Sequence, residues 1–131
     1  MSSVASFRLF DGMYEGLVNA LDLCSARHAL TAANIANANT PGYLAKELPF
    51  QELLSTAMDA PLSGEAVSMD ELVRGSIIDL EAPAFSLDGN SVDIEREQGR
   101  EVETQVLYEA LAGGMSRRLA MLRFAATDGK F

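Results

Sequence analysis

This chain of 131 residues contains no tryptophan, one cysteine and one histidine. With a single thiol, Cys24 has no partner for an intramolecular disulfide and no second cysteine for a metal site. On an apolar helical face it reads as a small buried hydrophobe. With a single imidazole, His28 has no second histidine to support a metal or catalytic role, and reads as a hydrogen-bonded interior or partly exposed residue. Aromatics are only 7% of the chain, so a core has to be built mostly from Leu, Ala, Val and Met. Basic residues are in the minority: the net charge is −9, with no basic stripe of the kind a nucleic-acid surface needs. No stretch approaches the roughly 18–20 apolar residues of a membrane span. The opening residues, Met1-Ser2-Ser3-Val4-Ala5-Ser6-Phe7-Arg8, lack the basic region and apolar run of a cleavable secretory signal. A glycine-framed nucleophile, a phosphate loop and a metal-ligand cluster are all missing, so neither enzymatic activity nor a cofactor is expected.

The charge that is present is uneven. Residues 1–46 carry three basic and three acidic groups, residues 47–91 one basic and nine acidic, and residues 92–131 six basic and seven acidic. Two nearly neutral ends therefore flank an acidic middle. Either the middle is simply solvated, or the ends pack against other chains while the middle faces outward.

Phe7, Phe10, Tyr14, Leu17, Leu21, Cys24, His28, Thr31, Ile35 and Ala38 follow one another at alternating steps of three and four. That is an a/d heptad series, and it predicts a helix over about residues 7–37 that packs along a narrow seam. Such a helix is about 45 Å long and needs a partner. Gly12 and Gly16 each cost roughly 1 kcal/mol relative to alanine. Their i, i+4 spacing puts two small residues on one side, where a neighbouring backbone can approach.

The helical pattern stops at Asn34-Ile35-Ala36-Asn37-Ala38-Asn39-Thr40-Pro41-Gly42-Tyr43. Asparagine is poor inside a helix and good at its end, because its amide competes for backbone partners. Thr40 precedes a proline and is pushed towards an extended conformation. Pro41-Gly42 suits the centre of a type II turn, with glycine taking the positive φ. Tyr43 then offers a ring to pack back on the helix end.

Beyond the turn, Pro49 fits the first turn of a short helix whose apolar face is Phe50, Leu53, Leu54 and Ala57. Residues 59–91 are acidic and punctuated by Pro61, Gly64, Gly75, Pro83 and Gly89, which predicts a loop-rich segment that orders only on contact. Within it, Val73, Ile77, Ile78 and Leu80 suit a strand or a brief helix. Asn90, with Asp93 three residues on, resembles a capping box opening a last long helix. In that helix Glu97 and Arg100 form an i, i+3 pair. Apolar spacing strengthens at Tyr108, Leu111, Met115, Leu119 and Leu122. Gly113-Gly114 is expected to soften the helix or admit a close neighbour, and Gly129 to terminate it. Arg117, Arg118 and Arg123 complement the helix dipole, as solvated charges or in contact with an acidic neighbour. The organisation is thus helix, acidic middle, helix: a mainly α fold in which the long terminal helices pair as a coiled-coil-like hairpin, within one chain or between chains. The boundaries fall at 1–43, 44–90 and 91–131, the first and last segments together forming one helical domain.

The stretch Ala33–Tyr43 resembles the N-terminal motif of bacterial flagellar rod and hook proteins. Ser86-Leu87-Asp88-Gly89-Asn90-Ser91-Val92-Asp93-Ile94-Glu95-Arg96-Glu97 and Met115–Arg123 are similar to the C-terminal part of proximal rod proteins of the FlgB type. The resemblance covers both ends of the chain and not the middle, and the Gly113-Gly114 pair departs from it. It implies a structural subunit of the flagellar basal-body rod that assembles helically into the drive shaft for motility. Export would be by the flagellar type III apparatus, without a cleaved signal peptide. It also implies, as partners, copies of the chain, other rod proteins, an adaptor at the rod base and the membrane-ring protein beneath. The expected turn motif is Asn34, Asn37, Asn39, Thr40, Pro41, Gly42 and Tyr43. The expected subunit-packing seam is Phe10, Tyr14, Leu17, Leu21 and Ile35 with Tyr108, Leu111, Met115, Leu119 and Leu122. Another rod or hook paralogue, or a soluble helical adaptor or export chaperone, is the alternative; the Asn-Thr-Pro-Gly-Tyr turn has no purpose in the last.

Overall fold

A computed structural model describes residues 2–127 and 129, with the side chains of residues 2–7 left out. Phe7, Lys130 and Phe131 therefore lie outside the described side chains. Four helices and one minimal ladder follow in order: α1 (Ser2–Ala36), β1 (Lys46–Glu47), α2 (Phe50–Leu62), α3 (Met69–Ser76), β2 (Ile78–Asp79) and α4 (Ile94–Ala126). The strands β1 and β2 pair antiparallel, Lys46 opposite Asp79 and Glu47 opposite Ile78.

Helix α1 is the hub, and it meets two partners on two faces. One face is Gly12, Gly16, Ala20 and Leu23, all buried. Their small side chains let α2 approach to backbone distance. A Cβ on Gly12 would lie 2.7 Å from the Pro61 carbonyl oxygen, and one on Gly16 3.2 Å from that of Met58. The close approach expected at these glycines is present, and α2 is the neighbour that makes it. The second face meets α4, which runs antiparallel: Arg27 bonds Glu103 at 3.0 Å, His28 lies 2.5 Å from Glu101, and Arg118 reaches the Phe10 carbonyl at 3.3 Å. The terminal helices thus form a hairpin within the chain.

The apolar core lies at the middle of α1. Leu23 and Cys24 meet Leu48, Phe50, Leu53, Ala57 and Met69, with Leu72, Val73, Ile77, Leu107 and Leu111 at its margin. Burial pushes the Cys24 thiol above its usual range, against a smaller opposite pull from Arg27. The face of α2 is the expected one: Phe50, Leu53 and Ala57 are buried and Leu54 half-buried.

The middle of the chain holds more helix than its punctuation suggests. Pro61 falls inside the last turn of α2. A proline there cannot donate to the Ala57 carbonyl four residues back. The Asn19 amide of α1 supplies a donor to that oxygen at 3.3 Å. Gly64 then closes the helix at φ 80, with Glu65 N–H on the Ala60 carbonyl and Gly64 N–H on that of Pro61, a Schellman ending. Met69 anchors α3 to the core.

Two further expectations are corrected. The cap of α4 is Asp93, whose carboxylate accepts from Arg96 N–H at 3.1 Å, and Asn90 is engaged elsewhere. The Gly113-Gly114 pair does not interrupt α4. A Cβ on Gly114 would meet nothing within 4 Å and one on Gly113 only the tip of Arg117, so among the described residues no neighbour comes close there.

Candidate functional site

The last turn of α1 is built by its asparagines. Asn37 donates from its amide to the Ala33 carbonyl at 2.8 Å, and its Oδ1 accepts from the Thr40 hydroxyl at 3.1 Å. Tyr43 N–H closes the Thr40-Pro41-Gly42-Tyr43 turn on the Thr40 carbonyl, with Gly42 at φ 73. This is the type II geometry that Pro-Gly favours. Asn39 and Pro41 are exposed.

The segment before α4 fastens onto this turn. Gly42 N–H donates to the Asp88 carbonyl at 2.7 Å, and Ser91 N–H to that of Tyr43 at 3.0 Å. Asn90 bridges the two ends, its amide donating to the carbonyls of Asn37 at 2.9 Å and Thr40 at 2.8 Å. Its Oδ1 meanwhile accepts from Val92 N–H. The Ser91 hydroxyl accepts from Ala45 N–H at 2.7 Å. Asp88 holds its own turn: the Asn90 N–H and then the Ser86 hydroxyl bond its carboxylate and lower its pKa. Two glycines at positive φ, Gly42 and Gly89, lie against each other at the centre, where a Cβ on Gly89 would be 3.7 Å from the Gly42 Cα.

Beneath the turn lies a buried polar network. Asn34 is fully buried, and its amide donates to the Lys46 carbonyl at 2.8 Å and to Glu97 Oε2 at 3.0 Å. Its Oδ1 accepts from Lys46 N–H at 2.9 Å and from the Tyr43 hydroxyl at 3.4 Å. All its hydrogen-bonding capacity is thus in use. The Tyr43 ring does return to the helix end. Glu97, also fully buried, takes Arg100 on its other oxygen at 2.9 Å, and Arg100 continues to Glu47. A buried carboxylate is tolerated only when it is paired and bonded. Here four segments share it: α1, β1, the first turns of α4 and, through the Lys46–Asp79 ion pair at 2.7 Å, β2. That pair also raises the Lys46 pKa, chiefly through the bond to Asp79. The junction can fix the angle and register of the two long helices. It presents no open reactive group.

The seam residues lie apart from this lock. Phe10, Tyr14, Ile35, Tyr108, Leu119 and Leu122 are between 37% and 53% exposed. Leu17, Leu21, Leu111 and Met115 are half-buried. The residues of the expected series that are buried are Cys24 and Thr31. The packing phase is set instead by the small residues from Gly12 to Ala20.

Glu97, Arg100, Thr104 and Ser91 were not among the expected site residues. On α4 the face that meets α1 is Glu97, Arg100, Thr104, Leu107 and Leu111, a 3-4-3-4 series whose first three members are polar. The spacing was readable. A search that follows apolar residues starts only at Leu107, ten residues after Glu97.

Two long antiparallel helices fastened at one end by a polar lock, with apolar side chains left uncovered along both, define a mainly helical protein whose junction is built for shape. Comparison with known sequences gives that class a name. Residues 17–43 match the family described as "Flagella basal body rod protein". The chain is similar to the flagellar basal body rod protein FlgB of Bacillus subtilis, with 31% identity over 127 residues that cover 93% of this chain and 98% of the relative. It is also similar to FlgB of Escherichia coli, 31% identical over 76% of this chain and 82% of that one. With FlgB of Salmonella typhimurium the identity is 33% over 69% and 75%. The chain belongs to the FlgB family of flagellar basal body rod proteins. Among its described residues no helix is long and apolar enough to cross a membrane.

Proposed function

We propose that the chain is a structural, non-catalytic subunit of the proximal rod. Its α1/α4 hairpin (residues 1–43 and 91–131) forms the axial domain, and residues 44–90 buttress it. The turn motif from Asn34 to Tyr43 sets the hairpin, and the exposed seam residues pack against neighbouring subunits in the drive shaft. The partners on this reading are copies of the chain, other rod proteins, the adaptor at the rod base and the membrane-ring protein. Delivery is through the flagellar type III export apparatus without a cleaved signal peptide.

The observation that carries the reading is the uncovered surface. The chain exposes 8764 Å². A compact monomer of 14.1 kDa would expose about 6,700 Å² by the usual surface-to-mass scaling. Among the exposed groups are Leu9, Phe10, Met13 and Tyr14 on α1 and Tyr108, Leu119, Met121 and Leu122 on α4. Many large apolar side chains exposed on two paired helices support an interaction surface there.

Tyr14→Asp and Tyr108→Asp change exposed side chains, so the hairpin should survive while assembly fails. Both variants are expected to be made at normal levels, to keep wild-type helicity by circular dichroism, and to be missing from purified basal bodies. Normal incorporation of both would remove the exposed helical faces as assembly surfaces.

A further inference from the structure

Helix α4 is held firmly over only part of its length. Up to Leu111 its inner face is fixed by the buried Glu97 and Thr104, then by Leu107 and Leu111 at the margin of the core. Beyond Leu111 none of the described residues of α4 is buried. Its last stretch, residues 115–126, is a helical arm about 18 Å long at 1.5 Å per residue. The part of α1 beside that arm is anchored elsewhere. Gly12 and Gly16 lie against the Pro61 and Met58 carbonyls of α2, and Asn19 donates to the Ala57 carbonyl. When the two long helices part at this end, α4 is therefore the one that moves.

Gly113-Gly114 stands where the held part of α4 meets the arm. No neighbouring element asks for glycine there: a Cβ on Gly114 would meet nothing within 4 Å, and one on Gly113 only the Arg117 guanidinium of the same helix. Adjacent glycines weaken a helix through their backbone freedom. Sharp helix bends occur at small-residue pairs or where a side chain enters the hydrogen-bond ladder. Both conditions are met here. Arg117 Nε donates to the Gly113 carbonyl at 3.2 Å, so that oxygen has a second donor when its ladder bond lengthens. Arg118 clasps the arm to α1. Its guanidinium donates to the Phe10 carbonyl at 3.3 Å, reaches Met13 Sδ at 3.7 Å and stands 5.2 Å from the centre of the Phe10 ring.

We propose that residues 115–126 are a hinged arm that turns about Gly113-Gly114, with Arg118 as its latch on α1. Closed, the arm covers one side of Phe10 and Met13. Open, it uncovers them together with Met115 on its own inner face. A bend of ~30° at the glycines carries the tip of the arm roughly 9 Å. The helix on either side of the hinge stays intact, so the motion is a swing and not an unfolding. The two forms are populations of one folded chain. At a half-exposed site, a charged hydrogen bond with a ring contact favours the closed form by about tenfold. The device belongs to the folded chain and does not depend on its being a rod subunit.

The test is a distance measurement by pulsed electron resonance between spin labels on the full chain, with Cys24→Ala so that labels sit only at the chosen positions. One pair, Glu15 with Ala125, spans the hinge; the other, Glu15 with Glu109, stops short of it, and all three positions are exposed. The first pair is expected to show a main closed distance and a minor longer one, the second a single narrow distance. Arg118→Ala should raise the longer population of the first pair about tenfold relative to the closed one, leaving the second pair and the helicity by circular dichroism unchanged. Gly113→Ala with Gly114→Ala should remove the longer population, and should still do so when Arg118→Ala is added, because a continuous helix keeps the arm beside α1. A first pair unmoved by Arg118→Ala, or a longer population that survives the two alanines, would overturn the hinge. So would an Arg118→Ala variant that loses the arm's share of the helical signal, since the arm would then be melting and not swinging.

Discussion

Replacing Asn34 by Asp changes one atom's charge and donor capacity and almost nothing else. The amide nitrogen at that position donates to the Lys46 carbonyl at 2.8 Å and to Glu97 Oε2 at 3.0 Å. An aspartate oxygen there faces a carbonyl oxygen and a carboxylate, all buried. Two carboxylates at that distance repel by about 5 kcal/mol even at an effective dielectric of ~20. The protein can avoid that by holding a proton on the pair, and the cost of doing so sets the ceiling. Protonating an ordinary aspartate at pH 7 costs about 4 kcal/mol, from roughly three units at 1.36 kcal/mol each. The bond to Lys46 is lost as well, about 1 kcal/mol. The expected loss is therefore about 5 kcal/mol at pH 7, a large share of the ~5–15 kcal/mol that holds a typical domain together. The sign with pH follows. The native variant binds one proton more than its unfolded chain, so its stability relative to wild type falls as pH rises, by about 1.4 kcal/mol per unit between pH 5 and 7. Asn34→Ala loses the same bonds without adding a charge. It should cost about 3 kcal/mol, offset in part by alanine's better helix propensity, with no such slope. Thermal melts of the three proteins at pH 5, 6 and 7 by circular dichroism would separate them. If the Asp and Ala variants run parallel across that range, or the Asp variant melts within about 2 °C of wild type, where the estimate above corresponds to well over 10 °C, the buried Asn34–Glu97 contact does not hold the junction.

Four other outcomes are expected. Gly12→Ala places a Cβ 2.7 Å from the Pro61 carbonyl and must push α2 away, which should cost about 1–3 kcal/mol in urea unfolding despite the gain in helix propensity. Gly114→Ala meets nothing and should stabilise by about 0.5–1 kcal/mol, so opposite signs for two glycine-to-alanine changes check the packing directly. Gly42→Val has open space around its Cβ but a φ of 73, so its cost of about 1–3 kcal/mol is backbone strain, and Gly42→Asn should recover much of it in the same unfolding assay. The Asp88 carboxylate has a lowered pKa in the folded chain, so its contribution is present above the unfolded value near ~4 and is lost as pH falls through the folded one. The melting difference between wild type and Asp88→Ala should therefore shrink as pH is lowered from 5 to 2.5.

The ends of the elements were legible because they are written in residues with few alternatives. Pro41-Gly42 permits little but a type II turn, Gly129 takes the positive φ of a terminator, and Phe50, Leu53 and Ala57 leave one face for α2. What was not legible is which face of α1 is buried. The apolar series from Phe10 to Ile35 is the more conspicuous pattern, yet in the folded chain much of it is exposed, and the tight contact runs along Gly12, Gly16 and Ala20. Hydrophobicity identifies side chains that need cover; it does not say whether the cover comes from the same chain. Small residues mark where a backbone comes close, and here they mark the contact within the chain.

The same distinction explains the polar junction. Glu97, Arg100 and Thr104 occupy the positions where α4 meets α1, and a polar seam is silent to any search for apolar periodicity. Its advantage is specificity. Apolar helices of this length can slide by a turn at little cost, since one leucine replaces another. Asn34 cannot slide, because its four bonds reach Lys46, Tyr43 and Glu97 in one register only. Moving α4 by one turn would strand a buried carboxylate, at a cost of about 3–5 kcal/mol. If the uncovered apolar faces meet neighbouring subunits, as proposed above, the hairpin has to be locked by something other than those faces. The asparagine turn and the Glu97 network at one end of the hairpin meet that requirement, and they do so without using the apolar side chains exposed toward its other end.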